Sequence, residues 1–154
     1  MSYINGIIAA FIATVVLSAI MLMKGAMGIM PELNVIKMLS GMSANMLQMP
    51  ANPMIGWVMH FVIGSIIWGA LFVAGLKLWP GSSSMMKGIS FSIAAWLLMM
   101  ILPMPMAGAG VFGLNMGIMA PIMTFVLHVI YGLVMGAIFT KLEERQHASS
   151  QTAH

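Results

Sequence analysis

Apolar residues run almost unbroken for about 20 positions four times along the chain, the length a helix needs to cross a bilayer. The first run extends from Ile4 to Met23 and stops at Lys24, and the second from Met54 to Leu76, between Pro53 and Lys77. The third begins after Lys87 and continues to Pro103, and the fourth extends from Ile118 to Thr140, ended by Lys141. None shows the alternation over roughly ten residues that marks a transmembrane β-barrel strand. Helices are then the spanning structure that satisfies every backbone polar group in lipid. The predicted fold is all-α, a four-helix transmembrane bundle over residues 1–142 followed by a polar cytoplasmic tail at 143–154. That tail reads as a frayed helix end followed by disorder.

The connection between the first two runs has its own period. Val35, Met38, Leu39, Met42, Met46 and Met49 recur at spacings of three or four, with Lys37, Gly41, Ala44 and Gln48 opposite. This predicts an amphipathic helix over about 31–49, started by Pro31 and Glu32 and stopped by Pro50 and Pro53. It would lie on the outer surface or pack as a lid on the bundle. The 104–118 segment, rich in Gly and Pro, is the corresponding outer loop and dips back toward the membrane. Trp57 and Trp79, 22 residues apart, span roughly 33 Å of helix and suit an aromatic girdle at both interfaces. Ser82, Ser83 and Ser84 read as a loop after Pro80.

Composition agrees with a bilayer protein and narrows its chemistry. Only 6% of residues are charged while 61% are hydrophobic, too little charge for a water-facing surface. The formal charge of +3 forms no basic stripe, which argues against nucleic-acid binding. With four spans, Lys77, Lys87, Lys141 and Arg145 share one side with both termini, against Lys24 and Lys37 on the other. The positive-inside rule then puts both termini in the cytoplasm. Residues 1–6 carry no Lys or Arg, and no small-residue cleavage site with a polar start follows, so the first span reads as retained rather than as a signal peptide.

The chain contains no Cys and no Asp, and Glu32 is the only acid outside the tail. Thiolate sites, disulfides and paired-carboxylate catalysis are therefore excluded, no phosphate-cradling motif occurs, and the expected role is non-enzymatic. An ion channel or proton-coupled transporter would want a carboxylate at mid-membrane, and the spans hold none.

Short patterns recur between the halves. His60 to Gly64 (HFVIG) resembles His128 to Gly132 (HVIYG), with a further Gly at 69 and 136, and the first and third spans both open on Gly-Ile at Gly6 and Gly88. A 2+2 repeat about an axis along the membrane normal is one reading; chance likeness between apolar stretches is the other. A larger set of motifs is formed by Gly28 to Val35 (GIMPELNV), Gly56 to Gly64 (GWVMHFVIG), Pro105 to Gly113 (PMAGAGVFG) and Leu127 to Gly132 (LHVIYG). Together these resemble a bacterial family of small four-helix integral membrane proteins that carries only a domain-of-unknown-function label. The resemblance covers about 130 residues, from the first span to the end of the fourth. It implies a multi-pass protein of the bacterial inner membrane and no particular reaction.

Two residue sets could carry chemistry. Of 21 Met, nine lie between Met21 and Met54 and seven between Met99 and Met123, in the segments expected on the outer side. Thioethers favour Cu(I), so Met38, Met42 and Met46 at i, i+4, i+8, with Met104, Met106, Met119 and Met123, are candidate ligands. The alternative is that they pack, as flexible hydrophobes do, or meet a partner. His60 and His128 are the only His within spans, at similar depth. They could ligate one haem b between them, share a copper site with the methionines, or stay neutral and hydrogen-bond across the bundle to Ser65, Ser18 or Thr14. Gly56, Gly64, Gly132 and Gly136 lie on the same helix faces and suit close helix packing. The expected function is an accessory or assembly subunit of a larger membrane complex, respiratory or redox-active, in contact with lipid and other membrane subunits. A Cu(I)- or haem-b-binding protein is the alternative.

Overall fold

The computed structural model describes residues 2–152. It is all-α, with no strand among the described residues. Helix α1 covers Tyr3–Ala26, α2 Val35–Leu47, α3 Pro53–Ala74, α4 Ser84–Ile101, the short α5 Pro103–Met106, and α6 Met119–Thr152. A 3₁₀ segment, Val111–Met116, lies between α5 and α6. Four helices are long and apolar enough to cross a membrane: α1, α3, α4 continued through α5, and α6. Only 28–39% of their most apolar windows is buried within the protein. The outward positions are Ile, Leu, Val, Met and Phe, which is the surface lipid requires and water does not.

Association of such helices gains little from hydrophobic burial, because lipid is as apolar as the core; close van der Waals packing supplies it instead. Glycines provide that approach. At the α1–α3 crossing a Cβ placed on Gly69 would lie 2.8 Å from the Gly6 carbonyl oxygen, and at the α4–α6 crossing one on Gly88 would lie 2.3 Å from that of Gly132. Both crossings are thus made at glycine, Gly6 with Gly69 in one and Gly88 with Gly132 and Gly136 in the other. One irregularity separates them: Gly64 and Gly69 are five residues apart, Gly132 and Gly136 four. The extra residue is absorbed by a π turn, Val62–Ile67, in the middle of α3, which returns Gly69 to the face that meets α1.

The core has two compartments. Toward the chain termini, Ala9, Ala10 and Ala13 of α1 admit Phe72, Phe91, Tyr131 and Phe139, with Phe72 and Phe139 edge to face at 5.3 Å. Toward α2, which we call the lid end, Met100, Met104, Leu33 and Ala109 are buried among Met30, Met38, Met99, Met116 and Met123.

Several predicted boundaries move, for local reasons. Helix α2 starts at Val35 and not at Pro31, because Asn34 is its N-cap, its Oδ1 accepting the Lys37 N–H at 3.0 Å. Ser83 caps α4, accepting the Met86 N–H at 3.2 Å, so Ser84 opens a helix and does not lie in a loop. Trp79 is half-buried: its ring packs on Phe91 at 5.2 Å and its Nε1 donates to the Phe72 carbonyl. The tail is not frayed within the described residues; α6 runs to Thr152, and the tail's last two positions lie outside them. Residues 143–152 contain no Gly or Pro to stop a helix, and Asn5 Nδ2 donates to Glu143 Oε1 at 2.6 Å and Gln146 Oε1 at 2.8 Å.

Candidate functional site

Helix α2 is a lid. A Cβ on Gly56 would meet the Ile36 carbonyl oxygen at 2.3 Å, so α2 lies directly on the first turns of α3. That seat rotates α2 away from its predicted register. Ile36, Leu39, Ser40 and Ser43 turn inward, whereas Met46 and Met49 are exposed.

Beneath the lid is a cavity of about 120 Å³. It is lined by His60 and His128, by Met21, Met38, Met99, Met100 and Met104, and by Thr14, Tyr131 and Lys24, among others. The two histidines, from equivalent places in the two halves, therefore face one space together with the methionines of the lid-end core. No carboxylate lines it. Among the described residues no group of three or more His, Cys, Asp or Glu is assembled, here or elsewhere; the cavity brings together two His with methionines.

Hydrogen bonds fix the tautomers. His128 Nδ1 lies 2.8 Å from the Thr124 carbonyl, which can only accept, so Nδ1 carries the proton and Nε2 keeps its lone pair. His60 Nε2 lies 3.3 Å from Ser18 Oγ, whose own proton goes to the Thr14 carbonyl at 2.7 Å. Nε2 of His60 is then the donor and Nδ1 keeps its lone pair. A ring N–H anchored to a carbonyl is the usual support of a metal-ligating imidazole. The expected cross-bundle partner is found only for His60; His128 bonds within its own helix. Ser65, the other suggested partner, has a buried Oγ with no hydrogen bond among the described residues.

Around the histidines the bundle is braced by polar contacts. The Tyr131 hydroxyl on α6 donates to the Gly64 carbonyl on α3, one of the carbonyls of the π turn. Trp96 Nε1 on α4 donates to Thr124 Oγ1 at 3.1 Å. Lys24 closes the lid end: its Nζ donates to the carbonyls of Ile29, Met30 and Leu33 at 2.9, 2.9 and 3.0 Å. All three ammonium protons are thus committed to the loop between α1 and α2.

The predicted ligands divide. His60, His128, Met38 and Met104 line the cavity, and Met123 packs in the adjoining methionine cluster. Met42 is half-buried outside the cavity, and Met46, Met106 and Met119 are 50–58% exposed. The stripe Met38, Met42, Met46 is not a ligand face, because α2 presents only its first turn to the cavity. Met21, Met99 and Met100 were not singled out by spacing, although each belongs to one of the two methionine-rich segments. Lys24 carried only the signal of a span end, and Tyr131 none beyond its place in the repeated motif.

The site does not suit a haem. Its volume falls well below the roughly 300–1,000 Å³ of pockets that enclose drug-sized ligands. The glycine faces are also filled, Gly64 by Thr14, Gly132 by Gly88 and Ser92, Gly136 by Ser84 and Met85, and Gly56 by Ile36. What the cavity can accommodate is a single ion or a few waters; its lining holds two imidazoles, five methionines and the Lys24 side chain, whose ammonium is turned to the loop carbonyls.

No curated protein and no solved structure matches the chain. A family model described as "Family of unknown function (DUF6789)" matches residues 1–150. With its four apolar helices and this match along nearly its whole length, the chain belongs to that family of unknown function.

Proposed function

We propose that this is a non-enzymatic protein of the bacterial inner membrane, with both termini cytoplasmic, that holds Cu(I) beneath its α2 lid. The observation that carries the reading is the single small cavity that unites His60, His128, Met38, Met99, Met100 and Met104. Neutral imidazole and thioether donors are the set that favours Cu(I) over hard divalent cations. The hydrogen bond from His128 Nδ1 to the Thr124 carbonyl presents Nε2 as a lone pair. The test is elemental analysis of protein purified gently from copper-supplemented membranes. Copper near one equivalent is expected, falling to background in the His60→Ala/His128→Ala variant. It should be unchanged when the exposed Met46, Met106 and Met119 are replaced by Leu. Copper that follows the exposed methionines, or none in the wild type, overturns the reading.

A second reading, a structural accessory or assembly subunit of a larger respiratory or redox complex, is supported by the exposed methionines themselves. Met46 and Leu47 in the last turn of α2 and Met49 after it, with Met106, Val111, Leu114 and Met119, leave apolar side chains uncovered near the lid end. Exposed apolar clusters of this kind serve as contact surfaces. Migration of the native protein as a free 16.5 kDa chain, with no partner retained, would count against it.

A further inference from the structure

Outside the cavity, a second and larger hollow of about 840 Å³ opens between the end of α1, α2 and the first turns of α3. Its walls combine two chemistries. Met21 and Leu22 of α1 and Trp57 of α3 form an apolar strip, continuous with the outward surface of the spans. Lys37, Ser40 and Asn34 supply polar hydrogen at the other side. The Lys37 ammonium is exposed and makes no hydrogen bond or ion pair among the described residues. The Ser40 hydroxyl and the Asn34 Nδ2 likewise make no hydrogen bond among them, since Asn34 uses its Oδ1 for the α2 cap. Lys24 adds its charge at the floor, with its protons already held by carbonyls. No carboxylate lines the hollow; Glu32 belongs to the same loop but not to its walls.

Three donors without acceptors, two cationic side chains and an adjoining apolar strip form an amphiphilic site with a positive polar end. We propose that this groove binds one anionic phospholipid, its phosphate on Lys37 Nζ, Ser40 Oγ and Asn34 Nδ2 and its acyl chains along Met21, Leu22 and Trp57. An ammonium with two neutral donors beside it matches a phosphate through charge-assisted hydrogen bonds. A zwitterionic lipid would bring its own cation into the field of Lys37 and Lys24.

The full chain, reconstituted in nanodiscs of mixed phosphatidylglycerol and phosphatidylcholine, tests this through quenching of Trp57 by lipid brominated on its acyl chains. The Trp57→Phe variant gives the signal of the remaining tryptophans. Brominated phosphatidylglycerol should quench the Trp57 component at least threefold more strongly than brominated phosphatidylcholine at equal mole fraction. The Lys37→Ala/Ser40→Ala variant should lose that preference, Lys37→Arg should keep it, and Lys77→Ala, at the opposite end of the bundle, should leave it unchanged. Circular dichroism on every variant establishes that the helices are intact. Equal quenching by the two lipids, or a preference that survives Lys37→Ala/Ser40→Ala in a folded protein, overturns the proposal.

Discussion

Replacing Gly132 by Ala puts the packing argument at risk in one atom. The added Cβ would lie 2.3 Å from Ser92 Oγ and 2.4 Å from the Gly88 carbonyl oxygen. Ordinary contact begins near 3.4 Å. Ser92 can rotate, but Gly88 contributes backbone, so α4 must withdraw from α6 by about 1 Å along the crossing. Overpacking of this kind costs about 1–3 kcal/mol. At roughly 2–4 °C per kcal/mol for a chain of this size, the thermal midpoint should fall by about 2–12 °C. Gly41→Ala is the matched control: it lies inside α2 with nothing within 4 Å of its would-be Cβ. There the same methyl should stabilise by about 0.5–1 kcal/mol through helix propensity alone. Thermal unfolding in mild detergent, followed by far-UV circular dichroism, measures both. A Gly132→Ala protein that melts with or above the wild type would refute the claim that backbone contact holds α4 to α6.

Four further outcomes follow from particular contacts. Lys24→Met strands three carbonyl acceptors of the α1–α2 loop, a loss of about 1–3 kcal/mol, and amide exchange should accelerate over residues 29–34 with little change in α4. Tyr131→Phe removes the tie between α6 and the π turn; a loss of about 1 kcal/mol is expected, and an unchanged midpoint would mean the bond contributes nothing. Ser65→Ala should be neutral or stabilising, because it deletes a buried hydroxyl that has no partner; destabilisation beyond about 1 kcal/mol would reveal one. Gln48, at φ 53°, closes α2 in the left-handed region, so Gln48→Gly should raise the midpoint slightly, and a fall would contradict that reading of the cap.

The parts of this fold legible in the sequence are those that depend on long runs or on local geometry. Four apolar stretches bounded by Lys24, Lys77, Lys87 and Lys141 specify four helical spans, because lipid admits only helices and closed barrels and these stretches lack a barrel strand's alternation. Of the glycines read as packing positions, Gly132 and Gly136 lie at the α4–α6 crossing, because a glycine lets two backbones approach; Gly6 and Gly88 were visible only through the repeated Gly-Ile. The register of α2 was not legible, because an apolar stripe identifies the inward face only where the other face meets water. Here Ser40 and Ser43 are buried while Met46 is exposed, since the seat on Gly56 fixes the rotation. The π turn was hidden as well, although the five-residue gap from Gly64 to Gly69 was its trace. Lys24 read as the end of a span, because a lysine there commonly extends its amine to the interface. Its return to three loop carbonyls depends on a turn that the sequence pattern did not define. Among the methionines, spacing along one helix selected Met42 and Met46, whereas those that line the cavity come from α1, α2, α4 and α5, a grouping that no single-helix period contains.

The central claim is that the His60–His128 cavity is a soft-metal site, and X-ray absorption at the copper edge tests it most directly. The protein should be loaded with Cu(I) under reducing conditions and freed of weakly held metal. The account predicts near-stoichiometric Cu(I) with both imidazole nitrogen and thioether sulfur in its shell, and loss of the nitrogen component in His60→Ala/His128→Ala. A shell of sulfur alone that is indifferent to both histidines, or no retained copper in a folded protein, would contradict it.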